Sequence, residues 1–186
     1  MGGVLVAALT YVADAVVTCD ADGRVLRPGA VTVDDGRIVA VGAPPAGEHV
    51  RLSGLLMPGL VNCHCHSPMT LFRGAAEDVP LQRFLREVLW PRESRLGVED
   101  VYWGMTLACA ELLRNGVTTT CEMYVHEDGV LRAVLDAGSR CLLTPGVVEV
   151  RSWGMTWRRR LDDVLAFHDA HAGRHPRVEV GMAAHA

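Results

Sequence analysis

The sequence predicts an α/β protein in which a parallel sheet is covered by helices and preceded by an all-β segment. Three observations carry this. Residues 1–56 consist of short β-branched runs separated by turn signals, strand-like and helical patterns alternate from Leu55 onward, and two histidines one residue apart, His64 and His66, close the first of these later strands. Alternation of this kind calls for parallel strands with helices packed over them.

The N-terminal stretch MGGVLVAALTYVADAVVTC is apolar, but it has no basic leading segment, and Asp14 interrupts it within a valine-rich alternation. It reads as strand rather than as an export signal. Ala15–Cys19 forms a strand, Asp20-Ala21-Asp22-Gly23 a turn, and Arg24–Leu26 the returning strand. Ala30–Val33 and Arg37–Val41 flank Asp34-Asp35-Gly36, a hairpin signal because Asp and Gly both tolerate positive φ. Pro44-Pro45-Ala46-Gly47 breaks the chain before a short strand at Val50–Leu52. So small a set of strands buries too little surface to stand alone and is expected to pack on other parts of the protein. The boundary is set at 56/57.

Beyond it, Leu60-Val61-Asn62 leads into the histidines. Leu81–Leu89 reads as a helix, and Val98–Asn115 has apolar residues at helical spacing stopped by Gly116. Thr118–Tyr124 is a second strand, Gly129–Ala137 a helix closed by Gly138, and Cys141–Thr144 a third strand continuing past Pro145-Gly146 into Val147-Val148. A helix over Leu161–Ala172 ends at Gly173, and Val178–Met182 is the fourth strand.

Composition narrows the function classes. With 49% hydrophobic residues the chain has ample material for a core, and a net charge of -4 with a pI near 6.0 argues against a nucleic-acid or anionic-membrane surface. A small-molecule substrate fits better. The six cysteines sit mostly within apolar runs, which suits reduced, buried thiols and a cytoplasmic location. No stretch reaches the roughly 18 uninterrupted apolar residues of a spanning helix.

Side chains alternate along a strand, so His64 and His66 point to one side and can share a metal ion, while Cys63 and Cys65 point to the other. A structural zinc built from Cys63, His64, Cys65 and His66 is therefore disfavoured, because adjacent residues cannot close one tetrahedron. In a (β/α)8 barrel the chemistry gathers at the carboxyl ends of the strands, where His64, His66, Met123-Tyr124 and His185 all fall. Only four strand-helix units are visible in residues 57–186, against roughly 250 residues for a whole barrel. The expectation is the first half of a (β/α)8 TIM barrel.

The hairpin segment Asp35-Gly36-Arg37-Ile38-Val39-Ala40-Val41-Gly42 followed by Met57-Pro58-Gly59-Leu60-Val61-Asn62-Cys63-His64-Cys65-His66 resembles the metal-dependent amidohydrolase superfamily. Ser67–Gly74, Glu77-Asp78 and Trp90-Pro91-Arg92-Glu93 resemble its branch of methylthioadenosine/S-adenosylhomocysteine deaminases and triazine hydrolases. The resemblance implies part of a small β-sandwich over 1–56 and the first four βα units of the barrel over 57–186. It also implies one divalent metal, zinc first and iron second, with His64 and His66 as two of its ligands. The metal would lower the pKa of water toward about 7 for attack on a ring carbon with loss of ammonia.

Three more positions carry roles by resemblance. Glu93 matches an acid that binds ribose hydroxyls; the alternative is a solvated charge. Arg160 matches an arginine that faces a substrate carboxylate, the alternative being an exposed basic patch with Arg158 and Arg159 at a helix amino end. Pro145 stands where homocysteine-type enzymes have a second arginine, which speaks against a carboxylate-bearing substrate. His185 matches a histidine that contacts the substrate ring, although Ala184 replaces the usual preceding proline. By the same resemblance the remaining metal ligands and the catalytic acid lie beyond residue 186, so no catalytic residue is assigned within the chain. Self-association or a complementing C-terminal half is the expected partner, with a non-catalytic half-barrel or a chlorohydrolase-type enzyme as the alternatives. His168, His171 and His175 read as surface residues, His126-Glu127-Asp128 as a loop or pocket rim, Trp153 and Trp157 as entrance or lid residues, and Trp90 and Trp103 as core.

Overall fold

The computed structural model describes residues 8–150 and 153–185. The readings made above for residues 1–7 lie outside them. The chain divides into two compact units after Pro58.

The first unit contains β1 (Leu9–Ala13), β2 (Ala15–Val17), β3 (Val25–Leu26), β4 (Gly29–Asp34), β5 (Arg37–Gly42), β6 (Val50–Arg51) and β7 (Leu55–Leu56). They form a four-stranded sheet in the order β5-β4-β1-β6 and a three-stranded sheet in the order β3-β2-β7. Asp14, which breaks the apolar run, separates β1 from β2. Its carboxylate accepts from the Gly54 N–H at 2.7 Å and pairs with Arg51. The β4–β5 turn has Asp35 at φ 43 and Gly36 at φ 71, the two positive values the hairpin signal requires. Val12, Ala13, Ala15, Val16 and Ala30 form the buried interior.

The second unit holds β8 (Leu60–Cys65), a 3-10 turn at Ser67–Phe72, α1 (Leu81–Arg83), a π turn at Phe84–Leu89, α2 (Trp90–Glu93), α3 (Val98–Arg114), β9 (Val117–Glu122), α4 (Glu127–Ala137), β10 (Arg140–Leu143), β11 (Gly146–Val147), α5 (Trp157–His171), β12 (Val178–Val180) and β13 (Ala183–Ala184). The strands β8, β9, β10 and β12 lie side by side in chain order and all run parallel, and β11 pairs with β13 beyond the ends of β10 and β12. Helices intervene between successive strands, as the alternating pattern requires.

Local chemistry sets the helix ends. The Asp100 carboxylate accepts from the Gly97 N–H at 2.8 Å at the start of α3, and acidic Glu99 and Asp100 favour that end of the helix dipole. Pro91 has no N–H to donate into the ladder, and the helix absorbs this as a π turn and continues to Glu93 instead of stopping at Leu89. Thr156 caps α5, so this helix begins a turn earlier than the expected Leu161 and takes Arg158, Arg159 and Arg160 into its first turn.

The main core joins α3 (Val101, Met105, Cys109), α4 (Val130, Leu131, Ala133, Val134) and the sheet (Cys141, Leu143, Val178). Its helices approach closely: a Cβ on Gly129 would stand 2.5 Å from the Val98 carbonyl oxygen, and one on Gly104 would stand 2.7 Å from that of Pro68. Trp103, expected in the core, is 62% exposed. The core face of α3 runs through Val101, Met105 and Cys109, which turns Trp103 to the opposite side. His171 and His175 are half-buried instead of solvent-facing, with rings stacked 5.8 Å apart. No described helix is long and apolar enough to cross a membrane.

Candidate metal centre

The carboxyl ends of the parallel strands form one edge of the second unit, and His64 and His66 stand at the end of β8. Their rings meet edge to face at 85°, with centroids 4.9 Å apart, and their Nε2 atoms converge to 3.2 Å. Two nitrogens bound to one tetrahedral zinc at about 2.0–2.1 Å lie about 3.3 Å apart, so this spacing fits a shared ion. His66 Nδ1 faces the Met123 carbonyl oxygen at 2.7 Å. A carbonyl only accepts, so Nδ1 carries the proton and the Nε2 lone pair is left for a cation, a tautomer lock common among metal-binding histidines. His64 is exposed, and its backbone N–H donates to Asn62 Oδ1 at 3.2 Å.

Cys65 goes the other way, as strand alternation requires, while Cys63 is exposed. The Cys65 thiol donates to the Cys121 carbonyl at 3.2 Å, and burial, with help from Glu122, pushes its pKa up to about 12. It is a protonated packing group. Among the described residues, no group of three or more His, Cys, Asp or Glu gathers in a way that would hold a metal. The two histidines come together, among the described residues, without a third ligand.

Glu93 corrects one expectation. The alternative of a solvated charge fails because its carboxyl group is buried, at 9% exposure, and Oε1 accepts from the Tyr124 hydroxyl at 2.8 Å. Burial raises the Glu93 pKa, while the Tyr124 bond and nearby His66 oppose the rise. Burial also raises the Tyr124 pKa, reinforced by the Glu93 charge.

Sequence reasoning missed Glu122. It is fully buried at the end of β9, and its two oxygens accept from the Ser67 N–H at 3.0 and 3.1 Å. Desolvation raises its pKa against the effect of that hydrogen bond. An acid closing the strand run Thr118-Thr119-Thr120-Cys121 was the available signal, since an unpaired carboxylate is rarely placed in a sheet core. Three consecutive residues at and just past the end of β9 therefore serve the site: Glu122 holds Ser67, Met123 holds His66 and Tyr124 holds Glu93.

Arg160 is 7% exposed, so it belongs to no exposed basic patch. Its Nε donates to the Gly146 carbonyl at 2.9 Å and its Nη2 pairs with Glu127 in the first turn of α4. This pair offsets one of the three positive charges that oppose the dipole of α5. Arg158 lies over the Trp157 ring at 4.8 Å. His185 follows β13 at the same sheet edge, exposed, with its backbone N–H on the Val147 carbonyl at 3.1 Å. A separate cavity of about 660 Å³ is lined by Arg86, Trp90, Pro91, Ser94, Glu149, Val150 and Trp153. The Trp153 indole N–H donates to the Trp90 carbonyl at 3.2 Å, so both rings rim this cleft and Trp90 is not a core residue.

Comparison with known proteins is consistent with this geometry. A 5-methylthioadenosine/S-adenosylhomocysteine deaminase of Syntrophobacter fumaroxidans is 43% identical over 136 residues, covering 69% of this chain and 31% of that protein. The crystal structure of a zinc-bound adenosine deaminase from Xanthomonas campestris superposes with a TM-score of 0.79 at 33% identity, over 95% of this chain and 42% of that one. A zinc complex of atrazine chlorohydrolase from Arthrobacter aurescens superposes with a TM-score of 0.79 at 21% identity, over 94% of this chain and 46% of that one, which speaks to the fold alone. The chain thus spans less than half the length of these relatives. The amidohydrolase family profile matches residues 55–186, the whole parallel-sheet unit with its histidine pair, and the chain belongs to the amidohydrolase family.

Proposed function

We propose that this chain forms the N-terminal part of a metal-dependent hydrolase that deaminates a purine nucleoside or a related heteroaromatic ring. The observation that carries the reading is the 3.2 Å convergence of His64 and His66 Nε2, with the His66 tautomer set by Met123. These two histidines would hold one divalent ion, with zinc favoured by the imidazole donors and by the zinc in the solved relative. When bound, the ion supplies water activated for attack at neutral pH. His64 and His66 would hold it on the side of the sheet opposite Cys65. Glu93 receives sugar hydroxyls on its carboxylate, and His185 contacts the base.

Arg160 is already neutralised by Glu127, and Pro145 offers no second cation, so a substrate without a carboxylate at this position suits the site. The first unit is read as part of a β-sandwich and the second as the first half of a (β/α)8 barrel. Its remaining ligands and proton-transfer acid would come from a complementing C-terminal half.

The test is the double change His64→Ala with His66→Ala in the complete enzyme. Wild type is expected to contain near-stoichiometric metal and to release ammonia from adenosine or 5′-methylthioadenosine, and the double variant to lose both. Metal content and turnover unchanged by the double substitution would overturn the assignment.

A further inference from the structure

We propose that Tyr124 is a positioning residue that orients Glu93, so that recognition of the vicinal sugar hydroxyls of a nucleoside depends on Tyr124 as much as on the carboxylate itself. The inference rests on the reading of Glu93 as the hydroxyl-binding acid.

Glu93 ends the four-residue helix α2, buried, and among the described residues no salt bridge neutralises it. A desolvated carboxylate needs a donor, and the Tyr124 hydroxyl supplies it to Oε1 at 2.8 Å. Tyr124 is itself only 7% exposed, so its ring cannot swing away without opening the core it joins. The hydrogen bond to Oε1 restrains the carboxylate, and Oε2 would be the acceptor for a diol. Tyr124 directly follows Met123, whose carbonyl holds His66. Two adjacent backbone units therefore set the separation between the imidazole that would hold the ion and the carboxylate that would hold the sugar. Phenylalanine would fill the same space, so the hydroxyl is what this position contributes.

The experiment compares wild type, Y124F, E93Q and the double variant of the complete enzyme on adenosine, 2′-deoxyadenosine and 3′-deoxyadenosine. Nucleoside affinity is measured by calorimetry, and KM and kcat by ammonia release. Y124F is expected to weaken adenosine binding about tenfold through KM, with kcat and the deoxynucleosides within about twofold. In the E93Q background Y124F should change selectivity no further, since a residue acting through Glu93 has nothing left to act on. Loss of selectivity in E93Q but not in Y124F would overturn the role of Tyr124 and leave the Glu93 reading intact. A wild type that does not distinguish adenosine from its deoxy forms, or an E93Q variant that keeps the preference, would overturn the Glu93 reading instead. If Y124F does not fold, Tyr124→Met, which also lacks the hydroxyl and leaves Glu93 in place, carries the test; it should show the same loss of selectivity, and a retained preference overturns the proposal.

Discussion

Glu127 and Arg160 meet in a nearly closed setting, with side chains 12% and 8% exposed. Removing one member of such a pair strands the other charge. Glu127→Ala is therefore expected to destabilise the protein by about 3–5 kcal/mol, a loss measurable by urea unfolding, whereas an arginine held for a substrate anion would tolerate the change. At this scale the sequence was legible where the chemistry is local. His64 and His66 announce themselves because a strand places alternate residues on one face. The Tyr124–Glu93 contact, the burial of Glu93 and the partner of Glu122 were not legible, because the residues that meet lie 31 and 55 residues apart in the chain. A carboxylate at such a position looks the same in sequence whether it is solvated or buried.

Helix starts and stops followed the same division. Gly116 and Gly138 mark the ends of α3 and α4 with φ of 79° and 72°, conformations that glycine adopts without strain. The early start of α5 depends on the hydroxyl of Thr156, and the run of α2 past Pro91 depends on a π turn that no periodicity announces. The contact of α4 on α3 depends on one missing side chain. Gly129→Ala would press a methyl group onto the Val98 carbonyl, and because that neighbour is backbone it cannot turn aside. Overpacking of this kind is expected to cost about 1–3 kcal/mol, read as a lower thermal midpoint. An alanine that left the midpoint unchanged would mean that α3 and α4 can slide apart freely.

For the whole molecule, the parallel order β8-β9-β10-β12 leaves β8 and β12 at the two edges of the sheet. Leu60 and Val61 on β8 are 50% and 59% exposed, an apolar strand with one neighbour. Unprotected edges invite pairing. The chain of residues 1–186 by itself is expected to associate with rising concentration, and Val61→Arg to shift it toward monomer, as followed by sedimentation velocity; a monomeric wild type at all concentrations would sink this expectation. The succession of four strands was legible because turn residues and helical periodicity punctuate it. The short strand Leu55–Leu56 was not legible, because its partner in β2 lies 40 residues away in the chain.

The end of β9 has one more consequence. Glu122, Met123 and Tyr124 grip three different parts of the chain through a side chain, a carbonyl and a side chain in turn, so the order of these groups is a phase as well as a composition. A single-residue insertion or deletion between Cys121 and Glu122 would shift all three groups by one position and release Ser67, His66 and Glu93 together.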